Sequence, residues 1–365
     1  MPPLSVLMKP ASSLCNMNCE YCFYFDEASK RTQSHFGMMS EITLKNIIRK
    51  TILKAEQSIT YAYQGGEPTL RGLEFFKTAI KLQKQYNRNK IQVFNALQTN
   101  GYEIDESWCE FFKQNNFLIG ISIDGTQEIH DAYRHNKFGE ATYEKVMLTT
   151  RLFDRYKVEY NILTVVNNTV AQNIKEIYLH YKKNGWNFQQ YIPCLDPIGE
   201  VRGQNKYALT PQMFGQFMID LFNLWYQDLK KGKQPYIRQF ENYIGMLNGY
   251  PPESCDMRGI CGVQTVVEAD GSVYPCDFYM LDKYKLGNFN ENQLETINFE
   301  REKIRFIETS TKLSNQCMGC NYLYICKGGC QRNREFNQGN YHNYLCEGYK
   351  MFFDKTLEKM KAIKI

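Results

Sequence analysis

The chain has 365 residues, with 44 Lys and Arg against 39 Asp and Glu and a net charge of +5. That length is too great for one ordinary core and suits two domains, or one barrel with an appendage. The charges are dispersed, so no nucleic-acid footprint is expected, and no window reaches the roughly 18 apolar residues of a membrane span. No basic segment followed by a long apolar one opens the chain, so a cytoplasmic protein is expected. In that compartment the 13 cysteines argue for metal or redox chemistry and against a disulfide framework.

Short β-rich runs alternate with longer helical patterns over the first two-thirds. The pattern predicts a strand at Leu4–Lys9, then a helix at Glu41–Lys54, a strand at Thr60–Tyr63 and a helix at Leu73–Tyr86. A strand at Gln92–Leu97 and a helix at Glu106–Asn115 follow, then Leu118–Ser122 and Thr142–Tyr156, Tyr160–Val166 and Asn173–Lys183. The series ends with a strand at Phe188–Ile192 and a helix at Pro211–Leu229, whose start is marked by Thr210 as cap and Pro211 at the first helical position. Such alternation implies right-handed βαβ units and a parallel sheet. Six units are too few for a closed eight-fold barrel; a partial barrel and a doubly wound sheet would both give this pattern. After about Gly232 the alternation stops, and the chain becomes rich in Cys, Gly and turn signals. A region of that kind buries little apolar area, and bound metal can supply the missing folding free energy. The last stretch, 349–365, is expected to form a closing helix.

The cysteines divide unevenly. Cys15, Cys19 and Cys22 share one short loop directly after the first strand, and eight more lie between Cys255 and Cys346. Thiolates are soft ligands suited to iron–sulfur clusters and zinc. Three on one loop leave one iron of a 4Fe–4S cube without a protein ligand, an open position where a small molecule can be activated. A zinc knuckle would need a nearby fourth ligand, and the closest candidate, His35, is thirteen residues on. The eight later cysteines could close two further sites completely, as four-cysteine zinc sites or as iron–sulfur clusters. Cys109 and Cys194 stand apart; both suit packing roles.

The spacing Cys15-x3-Cys19-x2-Cys22, followed by Phe23-Tyr24, resembles the signature of the radical S-adenosylmethionine (SAM) superfamily. Gly65-Gly66-Glu67-Pro68 after the second strand is similar to that family's GGEP motif, which meets the SAM amino group. Gln98-Thr99-Asn100-Gly101 and Ser122-Ile123-Asp124-Gly125 fit the same plan. The resemblance implies that Ser122 and Arg134 hold the SAM carboxylate and nearby polar groups, and that Tyr21 lies where the backbone meets the adenine. The later cysteines resemble the SPASM extension of peptide-modifying members, which binds two auxiliary 4Fe–4S clusters. By that resemblance Cys255, Cys261, Cys276 and Cys330 ligate one, and Cys317, Cys320, Cys326 and Cys346 the other. The implied fold is α/β, a partial (β/α)6 barrel over residues 1–233, with a SPASM domain at 234–348 and the closing helix at 349–365.

Within that group the chain is similar to the anaerobic sulfatase-maturating enzymes. The matching runs include Pro2-Pro3-Leu4-Ser5, Lys9-Pro10-Ala11-Ser12-Ser13, Gln64-Gly65-Gly66-Glu67-Pro68, Cys194-Leu195-Asp196-Pro197 and Asp270-Gly271-Ser272-Val273-Tyr274-Pro275-Cys276-Asp277. The resemblance implies oxidation of a sulfatase active-site Cys or Ser to Cα-formylglycine, on an unfolded sulfatase or a sulfatase peptide. Asp277 becomes the implied general base with Gln64 and Tyr24 close by, and Leu195 joins the SAM-binding set. A low-potential donor such as flavodoxin or ferredoxin is implied, and a monomer is the default. The competing expectations are another SPASM-type peptide modifier, forming thioethers or epimerising residues, and a zinc-bound binding module.

Overall fold

The computed structural model describes residues 3–335 and 341–364. Pro2 of the opening motif and Ile365 of the expected closing helix lie outside the described residues. The strands are β1 (Leu4–Met8), β2 (Met17–Cys19), β3 (Ser58–Tyr63), β4 (Gln92–Thr99), β5 (Phe117–Ser122), β6 (Arg134–Asn136), β7 (Glu159–Val166), β8 (Phe188–Pro193), β9 (Tyr236–Ile237), β10 (Thr265–Val267), β11 (Ser272–Tyr274) and β12 (Gly287–Asn288). They are shared between two compact units.

The first unit comprises Met1–Ser122, Arg134–Tyr160 and Val263–Arg305. In it β1, β3, β4 and β5 are parallel neighbours in chain order. A doubly wound sheet would reverse its order beside the first strand, whereas this run of four does not. The sequential, barrel-type arrangement therefore holds here. The strands form because apolar residues alternate: Ile59, Tyr61 and Tyr63 of β3 are all buried. Helices Glu41–Ile52, Leu73–Tyr86, Glu106–Gln114 and Tyr143–Tyr156 return the chain between strands. Ser40 and Asp105 cap two of them, accepting from the Thr43 and Trp108 amides at 3.0 Å each. The abundant aromatics fill core: Tyr63 meets Phe76 edge-on at 5.1 Å, and Phe76 meets Trp108 at 5.3 Å.

On its other side β1 pairs with β10 in parallel, and β11 and β12 follow antiparallel. These strands have two or three residues each, too few for a periodic pattern to show. They matter because the β10–β11 hairpin delivers the segment that begins at Cys276.

The second unit comprises Ile123–Tyr133, Asn161–Gly262 and Phe306–Ile365. Within it β7, β8 and β9 are parallel. Helix Pro211–Leu229 starts as the sequence predicts, with Thr210 accepting from the Met213 amide at 3.2 Å. The strand–helix alternation does not stop at Gly232: β9 and helix Arg238–Leu247 continue it. The closing helix, Cys346–Lys361, begins three residues earlier than expected. It lies against helix Pro211–Leu229 at a glycine contact. A methyl on Gly348 would run into the Pro211 carbonyl oxygen and come within 2.9 Å of the Phe214 ring. Phe214 and Tyr349 then pack edge-on at 4.9 Å.

Candidate functional site

In the first unit the loop after β1 carries Cys15, Cys19 and Cys22. Its β2 segment pairs antiparallel with β6, in register Cys19↔Arg134. That pairing sets a buried guanidinium among the thiols, and Arg134 also donates to the Tyr21 hydroxyl at 3.0 Å. Burial pushes the Cys22 thiol up, opposed by local backbone N–H groups and by the cations Arg134 and Lys9. Burial, reinforced by the charge of Glu67, pushes Cys15 up to about 12. None of the 13 cysteines is in a disulfide. Thiols grouped in this way are a donor set for a metal, which takes them as thiolates and must displace the protons that burial favours.

The loop after β3 lies against this one. The Glu67 amide donates to the Leu14 carbonyl at 2.8 Å. Gly66 has φ +53°, and a methyl there would strike the Leu14 carbonyl oxygen and lie 2.8 Å from that of Ser12. Only glycine permits this approach. Glu67 is 1% exposed. Its carboxylate accepts from the Thr69 amide and hydroxyl, the Thr99 hydroxyl and the Asn100 amide at 2.7–3.1 Å. It thus acts as a strut joining the ends of β3 and β4, and any contact to a ligand here falls to the backbone of the loop. Asn100, part of the Gln98–Gly101 motif but given no role of its own from sequence, donates to Asn16 at 2.8 Å and points its amide at the Cys15 sulfur, 3.6 Å away. Ser122 closes β5, the next strand along. The ends of β3 and β4 and the cysteine loop therefore share one region of this unit, and its three thiols are a donor set that fits a 4Fe–4S cluster.

Asp277 stands in the same unit. It opens a single helical turn after Cys276, and Phe23 packs edge-on against Phe278 at 4.8 Å. Gln64 donates to Asp277 Oδ2 at 3.0 Å, and the ammonium of Lys9 forms an ion pair with Oδ1. Tyr24 does not bond to Asp277. Its hydroxyl donates to Glu268 Oε2 at 2.5 Å, its ring lies 3.8 Å beneath the Lys9 ammonium, and Arg31 completes a buried pair with Glu268 at 2.7 Å. Lys9, Arg31 and Glu268 were not identified as site residues from sequence. A lysine at a strand end and a glutamate in a hairpin look like surface charges until the fold buries them.

The second unit holds most of the later cysteines. Cys330 is pushed up to about 12 by burial and feels both Cys255 and Cys261. Cys326 is pushed up to about 11 by burial, with Cys317 and Cys320 adding; Cys346 reaches about 12 by burial, with Cys326 and Cys317 adding. Cys317, Cys320, Cys326 and Cys346 thus form a four-thiol set within one unit. His342 approaches it, with Nδ1 3.8 Å from the Cys317 sulfur. Leu195 and Cys194 follow β8 in this unit and are half-buried. Cys109 is buried on helix Glu106–Gln114, as a packing role requires.

Comparison with known proteins agrees with this chemistry. The model of the radical SAM superfamily matches residues 10–180, and that of an iron–sulfur cluster-binding domain, SPASM, matches 260–321. A cysteine-type anaerobic sulfatase-maturating enzyme of Clostridium novyi (strain NT) is 45% identical over all of this chain and 98% of its own. The chain belongs to the anaerobic sulfatase-maturating enzymes. A serine-type enzyme of Bacteroides thetaiotaomicron is 32% identical over 99% of the chain and 91% of its own. A structure of native anSMEcpe with bound AdoMet and Cp18Cys peptide superimposes with TM-score 0.94 at 40% identity, covering 98% of both chains. The activity of this family is radical SAM oxidation of a sulfatase Cys or Ser to Cα-formylglycine. Its cofactors are SAM and 4Fe–4S clusters, auxiliary ones included. Thioether formation, epimerisation and a zinc module fall away as readings of the chain. Among the described residues no helix is long and apolar enough to cross a membrane.

Proposed function

We propose that this chain is a cysteine-type enzyme in which Asp277 accepts the proton of the target thiol. The observation that carries this is the placement of a carboxylate directly after Cys276, gripped by Gln64 and Lys9 beside the Cys15–Cys22 loop. In the bound state SAM and its cluster supply the radical that takes hydrogen from the target Cβ. Cys15, Cys19 and Cys22 hold that cluster; Gly65, Gly66, Glu67, Ser122, Arg134, Tyr21 and Leu195 form the SAM-binding set. Cys255, Cys261, Cys276 and Cys330 hold one auxiliary cluster and Cys317, Cys320, Cys326 and Cys346 the other, with residues 234–348 as the auxiliary domain. Gln64 orients Asp277, and Tyr24 supplies the ring beneath its partner Lys9. Cysteine preference is supported by 45% and 41% identity to cysteine-type relatives against 32% and 29% for serine-type ones. A flavodoxin- or ferredoxin-type donor and a cytoplasmic monomer complete the proposal.

The test is anaerobic turnover with SAM and paired Cys and Ser sulfatase peptides, read by mass. Wild-type enzyme should convert the Cys peptide faster. Asp277→Asn should still form 5′-deoxyadenosine while formylglycine falls by about 10²-fold or more, the usual scale for losing a general base. Undiminished product from Asp277→Asn would remove the residue from the reaction.

A further inference from the structure

We infer that Lys9 is a positioning residue for the oxidation, fixing the Asp277 carboxylate from a site the substrate cannot reach. The inference rests on Asp277 as the proton acceptor. Lys9 follows β1, and its side chain is 0% exposed. Asp277 is its only carboxylate partner among the described residues. An ammonium buried this way is costly unless paired, so its presence calls for a reason. Its stem occupies the space beside Gly65, where an added methyl would lie 2.6 Å from Cδ and 2.9 Å from Nζ. The glycine of the cofactor loop therefore leaves room for the lysine as well.

Lys9 takes Oδ1 of Asp277 while Gln64 takes Oδ2. Two donors from two strand ends fix the plane of the carboxylate. The lysine is in turn held from its far side. The Tyr24 ring lies 3.8 Å beneath its nitrogen, and the Tyr24 hydroxyl is bound to Glu268. Glu268 accepts from Arg31 at 2.7 Å and from the Ala269 amide at 2.8 Å. Arg31, Glu268, Tyr24, Lys9 and Asp277 thus form one continuous buried series in which two ion pairs are joined through a single aromatic ring. Only its last member, with 16% of its side chain exposed, can meet a ligand.

The test uses the cluster-loaded full chain and compares Lys9→Met, Lys9→Ala and Asp277→Asn. The readout is the ratio of 5′-deoxyadenosine to formylglycine, with iron content and the spectrum of the reduced cluster as checks on folding. Lys9→Met should keep its iron and raise the ratio about 10-fold or more, since small misplacements of a reacting group carry penalties of that order. A role in folding alone would lower both products together and leave the ratio unchanged, which would overturn the inference. If Lys9→Met fails to load iron, Lys9→Ala decides. Ethylammonium should restore its ratio and propanol should not; equal rescue, or none, overturns the inference. Wild-type coupling in Asp277→Asn would instead defeat the assignment of Asp277 as base.

Discussion

Glu268→Gln tests whether the buried charges of the first unit are paired as described. The side chains of Glu268 and Arg31 are both 0% exposed, and their N···O separation is 2.7 Å. The amide keeps the shape and removes the charge, leaving a guanidinium buried without a counter-ion. Breaking a buried pair from one side costs about 3–5 kcal/mol. The amide also cannot satisfy every donor. Oε1 accepts from the Ala269 amide and Oε2 from Arg31 and Tyr24, so whichever way the new NH2 group turns, it faces an N–H or O–H donor. For a unit of this size each kcal/mol lowers the melting temperature by about 2–4 °C. A fall of about 6–20 °C is expected, measured anaerobically by circular dichroism on samples matched for iron. Arg31→Met combined with Glu268→Met should recover most of the loss, because the uncompensated charge is then gone. A fall below about 3 °C for the single variant, with iron intact, would refute the buried pairing.

Gly66→Ala should abolish SAM binding measured by equilibrium dialysis, because its methyl meets two backbone carbonyls that cannot turn aside. Gly348→Ala should cost about 1–3 kcal/mol in urea unfolding by forcing the closing helix off helix Pro211–Leu229. Cys109→Ala and Cys194→Ala should leave iron per chain unchanged, whereas Cys317→Ser should lower it; the contrast is read by iron analysis. Burial holds Cys15, Cys330 and Cys346 near about 12 and Cys326 near about 11, so all four carry protons at pH 7 without metal. Loading must release those protons. Cluster reconstitution of the metal-free chain should therefore weaken as pH falls from about 8 to about 6, and a flat profile would contradict the buried-thiol geometry.

What was legible in the sequence follows from the length of each signal. Leu73–Tyr86 and Pro211–Leu229 have the helix bounds expected of them, because a long amphipathic pattern leaves little freedom, and Thr210 and Pro211 fix the start of the second. The cysteine spacings were legible because ligand geometry acts over a few residues. The strands β10, β11 and β12 were not: each has too few residues to show alternation, and the pairing of β10 with β1 joins residues about 260 positions apart. Helix Arg238–Leu247 was missed beside so many turn signals, although Phe240, Tyr243 and Ile244 form its buried face. Glu67 shows the limit at a single residue. Its motif was readable, but the four donors that consume its carboxylate come from two separate segments.

The two carboxylates near Tyr24 show why the site needed a structure. Both lie on or beside the β10–β11 hairpin, and from sequence only Asp277, next to a cysteine, drew notice. The fold gives them opposite work. Glu268 is sealed in, with both oxygens bound to Arg31, Tyr24 and the Ala269 amide, so no substrate atom can reach it. Asp277 is held by Lys9 and Gln64 but keeps part of its surface open. A carboxylate that must take a proton needs both fixed aim and an open edge, and only Asp277 combines them. Exchanging the two acids for their amides separates the roles. Glu268→Gln should lower the melting temperature and keep 5′-deoxyadenosine coupled to formylglycine, while Asp277→Asn, which also leaves the buried Lys9 ammonium without its carboxylate, should cost some stability as well and stop formylglycine formation. Coupling lost in Glu268→Gln and kept in Asp277→Asn would show that the hidden carboxylate carries the chemistry and that the exposed edge of Asp277 has no part in it.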